Sequence, residues 1–377
     1  MRTDDDALVA KRRRTGGLGA RLALALAVAG LAPALAACGG GSASSTEPPT
    51  EFFGIDKGTV IDEKDIHTMR QGGVDTLRFL MLWGPIEPKK DHFVWGPTDQ
   101  LVGNLAAEGV RPLPFVYGVP AWLGPKPAEP PLDSPEEELL WKRFLTAVVN
   151  RYGPGGTYWT AVYPKQHPDA DPLPITAWQV WNEPNLPKYF AASPPVEKYA
   201  QLLQISRDAI IAQDPKATIV LAGLPGYGDP DTAWQFLGKL YDRPGFKRDY
   251  DAVALHPYAR NVAQLKLEID NLRSAMEKHG DGQTPLWLTE VGWGSGPPNR
   301  FGLNKRLSGQ AQLLSQSFEL ITQNRETWHV QRVFWFDWRD PPKGVPQSCS
   351  FCSTAGLLKN NREPKPSWGA YMRFSNG

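Results

Sequence analysis

The chain has 377 residues, 41% of them hydrophobic and 21% charged, which is the balance of a folded globular protein and not of a disordered one. Its 41 Lys and Arg face 40 Asp and Glu, a net charge of +1, so nothing suggests the concentrated basic surface that a nucleic-acid partner requires. Gly and Pro number 36 each and Trp 14, which predicts long stiff loops and aromatic platforms in addition to a core.

Residues 1–37 read as a removable export segment. Lys11-Arg12-Arg13-Arg14 and Arg21 precede an apolar run from Leu22 to Ala37 that is short for a membrane span. The run ends in Leu35-Ala36-Ala37-Cys38, which resembles the lipobox of bacterial lipoproteins. That resemblance implies cleavage before Cys38, acylation of Cys38 and a lipid anchor on the outer face of a bacterial cytoplasmic membrane. Ordinary secretory cleavage after Ala36 and an uncleaved anchor remain alternatives, and the Sec or twin-arginine route is open. The segment carries six basic residues and three acidic ones, so its removal turns the net charge of +1 into −2. Residues 38–50 have the composition of a flexible tether. With Cys38 lipidated, Cys349 and Cys352 are left as an even pair, expected to close a short structural disulfide because no second pair exists to complete a zinc site.

From residue 51 to 377 the chain alternates. Runs rich in β-branched and aromatic residues fall at Phe52–Ile55, Thr76–Trp83, Arg111–Tyr117, Ile175–Trp181, Thr218–Leu224, Ala252–Leu255, Leu286–Thr289 and Val330–Phe336. Helical patterns lie between them. One opens on Ser134 and Glu137, a capping box, and aligns Leu140, Phe144, Ala147 and Val148. Another aligns Tyr199, Leu202, Leu203 and Ile210, a third Leu265, Ile269, Leu272 and Met276, and a last short one covers Trp368 to Phe374. Eight such repeats predict a single (β/α)8 barrel, with a doubly wound sheet as the alternative.

A barrel gathers its chemistry at the carboxyl ends of the strands. Glu183 follows the fourth predicted strand, His256 and Tyr258 the sixth, Glu290 the seventh, and Trp335 closes the eighth; Arg78 lies within the second. Two carboxyl groups at strand ends in apolar surroundings are costly unless they are used. Brought to one rim, they form the pair that glycoside hydrolysis needs: one protonated donor and one ionised nucleophile or base.

Trp181-Asn182-Glu183-Pro184 and Leu288-Thr289-Glu290-Val291-Gly292-Trp293 resemble the motifs of the clan A glycoside hydrolases. Arg151-Tyr152-Gly153-Pro154-Gly155-Gly156, leading to Trp178 and Trp181-Asn182-Glu183-Pro184-Asn185, is most similar to the family 39 branch, with family 5 as neighbour. The resemblance implies that Glu183 is the acid/base and Glu290 the nucleophile, with carboxyl groups about 5–5.5 Å apart as in retaining enzymes. It further implies that Asn182 binds the sugar 2-hydroxyl, Arg78 keeps Glu290 ionised, Tyr258 hydrogen-bonds Glu290, His256 lines a subsite and Trp335 is a platform under the sugar. No metal-peptidase, esterase, phosphate-loop or dinucleotide motif occurs, and no cofactor is expected. The expected protein is a monomeric retaining glycosidase acting on a carbohydrate at the cell surface. A transglycosylase and a non-catalytic glycan-binding lipoprotein are the alternatives.

Overall fold

The computed structural model describes residues 48–376 except 229 and 348. The export segment, Cys38 and most of the tether lie outside the described residues. No helix among the described residues is long and apolar enough to cross a membrane.

The strands are β1 (Phe53–Asp56), β2 (Thr76–Leu82), β3 (Arg111–Tyr117), β4 (Ala177–Val180), β5 (Thr218–Val220), β6 (Leu224–Pro225), β7 (Val253–His256), β8 (Leu286–Val291) and β9 (Val330–Phe336). All their pairings are parallel, in the order β5-β4-β3-β2-β1-β9-β8-β7-β6. The ring closes from β5 onto the residue before β7, Val220 bridging Ala252 and Leu221 N donating to Ala252 O at 2.9 Å. The fold is therefore the expected (β/α)8 barrel, with β5 and β6 sharing the fifth position. The single strand predicted over Thr218–Leu224 is interrupted at residues 221–223. There the backbone serves other partners: Ala222 N donates to the Tyr199 hydroxyl at 2.7 Å, and Gly223 O accepts from Glu183 N at 3.2 Å. Gly223 is required at that point, because a Cβ would sit 1.9 Å from His256 Nε2.

The major helices are α1 (Glu63–Gln71), α2 (Gly96–Ala107), α3 (Pro135–Tyr152), α4 (Pro195–Ile211), α5 (Ala233–Tyr241), α6 (Val262–Lys278), α7 (Arg306–Asn324) and α8 (Pro366–Ser375). Their starts are written locally. Asp62 and Asp65 form a reciprocal capping box on α1, and Asn261 caps α6 through Gln264 N at 2.9 Å. On α3 the predicted box is half formed. Ser134 accepts from Glu137 N at 3.2 Å, but the Glu137 carboxylate reaches past Ser134 to Asp133 N at 2.8 Å.

Strand periodicity divides the barrel interior into two layers. Leu113, Val220, Ala252, Ala254, Trp287 and Phe334 fill the lower layer as an apolar plug. Above it, one strand repeat toward the carboxyl ends, Asp56, Arg78, Gln179 and His256 form a buried polar layer. The outward faces of the strands meet the helices in one large core cluster. Most of the Trp side chains are committed there. Trp83, Trp141, Trp178, Trp181, Trp293, Trp335 and Trp338 are all fully buried.

Candidate active site

The polar layer opens upward into a cavity of about 290 Å³ at the carboxyl ends of the strands. Asn182, Glu183, Tyr258 and Glu290 line it, together with Asp56, Lys57, Leu80, Phe115, Tyr117, Tyr189, Tyr227, Phe336, Phe351 and both Cys349 and Cys352.

Glu290 leaves β8 where the register against β9 shifts, between Leu288 and Val291. The irregularity lets two consecutive side chains serve the interior: Thr289 bonds His256 at 3.0 Å, and Glu290 reaches Arg78. Arg78 Nη1 donates to Glu290 Oε1 at 2.7 Å and also to Asp56; Nη2 donates to Asn182 Oδ1 at 2.9 Å and Nε to Gln179 Oε1 at 2.6 Å. The Tyr258 hydroxyl donates to the other oxygen, Glu290 Oε2. Burial on its own would raise the Glu290 carboxyl. The net shift is downward, because His256, Arg78 and Tyr258 all favour the charged form.

Glu183 is aimed by backbone that no side chain adopts freely. Trp181 and Glu183 hold φ of +71° and +45°, a conformation worth roughly 1–2 kcal/mol of strain per non-glycine residue. Trp181 is pinned by its N–H to Val116 O (2.9 Å) and its indole N–H to Tyr189 O (2.8 Å), and Glu183 N is tied to Gly223 O. The carboxyl is buried and shares a 2.8 Å hydrogen bond with His256 Nδ1. Burial raises Glu183 above the usual 4.5, and the Glu290 charge adds to this. The bond and charge of His256 offset it only in part. Asp56, one layer below, is likewise pushed up to about 7 by burial, against the pull of Arg78.

One oxygen of Glu183 and one of Glu290 lie within 4.8 Å of each other. With His256 they are also the only group among the described residues compact enough to hold a metal ion. Glu290 Oε1, however, already accepts from the Arg78 guanidinium, which supplies the local positive charge.

Two expected roles need correction. His256 does not line a subsite. It is fully buried behind the cavity wall and bonds Glu183 on one ring nitrogen and Thr289 on the other. Trp335 is not a platform under the sugar. On β9, Phe334 belongs to the interior plug and Phe336 to the cavity lining, so the period of two turns Trp335 outward. It packs on Trp293 and Phe318, and its indole N–H donates to Ala355 O at 3.3 Å. Among the described residues no Trp lines the cavity; its aromatic surface comes from Tyr and Phe. Alternation along β9 and β3 carried the signal for Phe336, Phe115 and Tyr117. Asp56 and Gln179 lie on the inward parity of short strands and had no motif to mark them. Cys349 and Cys352 are bonded to each other.

A family model described as the glycosyl hydrolase catalytic core matches residues 159–365. No curated protein sequence matches the chain. Among solved structures, a family 39 glycoside hydrolase from the gut symbiont Bacteroides cellulosilyticus WH2 aligns at 22% identity and a TM-score of 0.64, over 88% of this chain and 64% of the other. The family 39 enzyme from Xanthomonas axonopodis pv. citri aligns at 16% and 0.63, over 86% and 66%. A monomeric beta-xylosidase from Caulobacter crescentus CB15 aligns at 19% and 0.62, over 86% and 68%. The chain thus spans slightly less than two thirds of the first two structures, and these likenesses establish the fold.

Proposed function

The chain belongs to the glycosyl hydrolase catalytic core family, and from that premise we propose that it cleaves O-glycosidic bonds with net retention, using Glu290 as nucleophile and Glu183 as acid/base. The observation that carries this is the pair of carboxyl groups with an oxygen of one within 4.8 Å of an oxygen of the other, one group pushed toward protonation and the other held ionised. An inverting enzyme needs roughly 6.5–9.5 Å between its carboxyl groups to admit a water.

In the proposed mechanism the Glu183 proton passes to the glycosidic oxygen as the bond to the anomeric carbon breaks. Glu290 Oε attacks that carbon from the opposite face and forms a glycosyl ester. Arg78 and Tyr258 keep the attacking carboxylate charged and oriented. The Glu183 carboxylate then takes a proton from water, the hydroxide portion bonds the anomeric carbon, and Glu290 leaves. Asn182 is held by Arg78 through its carbonyl oxygen, which leaves its amide N–H groups to a substrate hydroxyl. The leader pattern ahead of Cys38 supports a lipid-anchored enzyme at the outer face of a bacterial membrane, and the family supports a carbohydrate substrate; we propose that it acts as a monomer.

The test is a panel of aryl glycosides, with aryl xylosides first, followed by trapping with a 2-fluoroglycoside and mass spectrometry. Label on Glu290 and retained anomeric configuration are expected. Label elsewhere or an inverted product overturns the mechanism. Transfer to an added sugar in preference to water identifies a transglycosylase, and no turnover on any glycan favours a non-catalytic binding protein.

A further inference from the structure

The Cys349–Cys352 bridge spans a separation of only three residues. Such a tight ring removes little entropy from the unfolded chain, since closure entropy grows with loop length. Its effect is therefore local, and Phe351 lies inside it. Phe351 is 3% exposed although it borders the cavity. Its ring meets the Tyr258 ring edge-on at 5.2 Å and Phe336 at 6.2 Å, while Tyr258 also meets Phe336 edge-on at 6.2 Å. The Tyr258 phenol thus packs edge-on against a pair of touching aromatic rings, and its hydroxyl ends on Glu290 Oε2.

The far side of the turn is fastened to the loop that follows Glu290. Asn304 Nδ2 donates to Ser350 O at 3.3 Å, Thr354 Oγ1 donates to Asn304 Oδ1 at 3.0 Å, and Ser295 N donates to Thr354 O at 2.8 Å. The chain entering the turn is open to solvent among its described residues. Residues 342–347 are exposed, with Gly344 among them. On the entering side the disulfide closes the frame around Phe351.

We propose that Phe351, clamped by the Cys349–Cys352 disulfide, is the positioning residue that keeps the Tyr258 hydroxyl on Glu290; the inference rests on the proposed role of Glu290 as nucleophile. Edge-to-face packing restricts the phenol to the rotamer that donates to Oε2. Without the clamp the phenol gains alternatives, and the carboxylate loses one of the donors that favour its charged form.

Carboxyl-carbon NMR titration of Glu290 in ¹³C-Glu-labelled full-length protein tests this without requiring turnover. The resonance is assigned by its loss in Glu290→Gln. Tyr258→Phe sets the upward displacement caused by losing the donor. Phe351→Ala and Cys349→Ser/Cys352→Ser are expected to displace the titration in the same direction, Phe351→Tyr to restore it, and Phe351→Ala on a Tyr258→Phe background to add nothing. Where glycosides are cleaved, kcat/KM of Phe351→Ala falls about tenfold, and more steeply on the acid side of its profile. A titration unchanged in both variants, or an effect additive with Tyr258→Phe, overturns the proposal. Should Phe351→Ala not fold, native protein reduced with dithiothreitol provides the same comparison. A protein that titrates as expected yet cleaves no glycoside defeats the proposed function and leaves the clamp standing.

Discussion

The corner of the barrel mouth around Glu290 and the corner around Glu183 start from the same problem, a carboxyl group taken out of water. At Glu290 the surroundings are cationic and donating. An arginine held by four partners contacts one oxygen and a phenol contacts the other. At Glu183 the surroundings are a strained backbone, aromatic walls and a single shared bond to His256. Burial pushes both in the same direction, so the difference in charged and donating neighbours sets the difference in charge, and charge assigns the roles.

The largest expected effect comes from deleting the ionised partner. Glu290→Ala should lower kcat by about 10⁴-fold or more, because the covalent step is lost; steady-state kinetics on the best aryl glycoside measure it. Glu183→Gln should lower kcat/KM by roughly 10²–10⁴. The loss should shrink with more acidic leaving groups, and the basic limb of the pH profile should vanish, since that limb follows deprotonation of a carboxyl whose pKa is raised. A basic limb that survives in Glu183→Gln would detach it from the acid role.

Arg78→Met strips the Glu290 corner of its cation and leaves Asp56 and Glu290 buried without it. A loss of about 3–5 kcal/mol in denaturant unfolding is expected, with the acid limb of kcat/KM moved to higher pH. A variant that loses stability with an unmoved acid limb would confine Arg78 to a structural role.

Glu268 shows what burial does without either device. It is 6% exposed, its closest donor is Gln264 Nε2 at 3.3 Å, and burial pushes it from the usual 4.5 to about 8. Between those values the folded chain holds a proton that the unfolded chain has released, so this group makes stability fall as pH rises from 4.5 to about 8. Glu268→Gln should remove that slope and stabilise the fold by up to about 5 kcal/mol at pH 8, read from unfolding midpoints across pH. A wild-type slope that persists in the variant would place the proton elsewhere.

Much of this was legible beforehand. Glu183, Asn182, Arg78, Tyr258 and Glu290 carry their positions in motifs and strand ends, and the structure brings all five together. His256 was found as a residue but not as a contact, because nothing in His256-Pro257-Tyr258 says which carboxyl its ring will meet. Trp335 failed on parity. The resemblance implied a platform, while alternation with Phe334 and Phe336 placed it on the outer face. The high Trp count pointed toward sugar, yet those side chains chiefly form the shell between strands and helices. The aromatic part of the cavity wall is Tyr and Phe.

Alternation, caps and strand-end motifs are local properties, so the chain by itself determined the βα repeat and the identity of the two carboxyl groups, while closure into a barrel over a doubly wound sheet was decided by strand pairing. Tertiary structure alone also decided how the two carboxyl groups differ. The register shift in β8, the positive φ at Trp181 and Glu183, the break at Gly223 and the aromatic packing on Tyr258 arise from segments tens to hundreds of residues apart. A pKa is set by which donors arrive within hydrogen-bond distance and how much water remains, and both are properties of the packed barrel mouth.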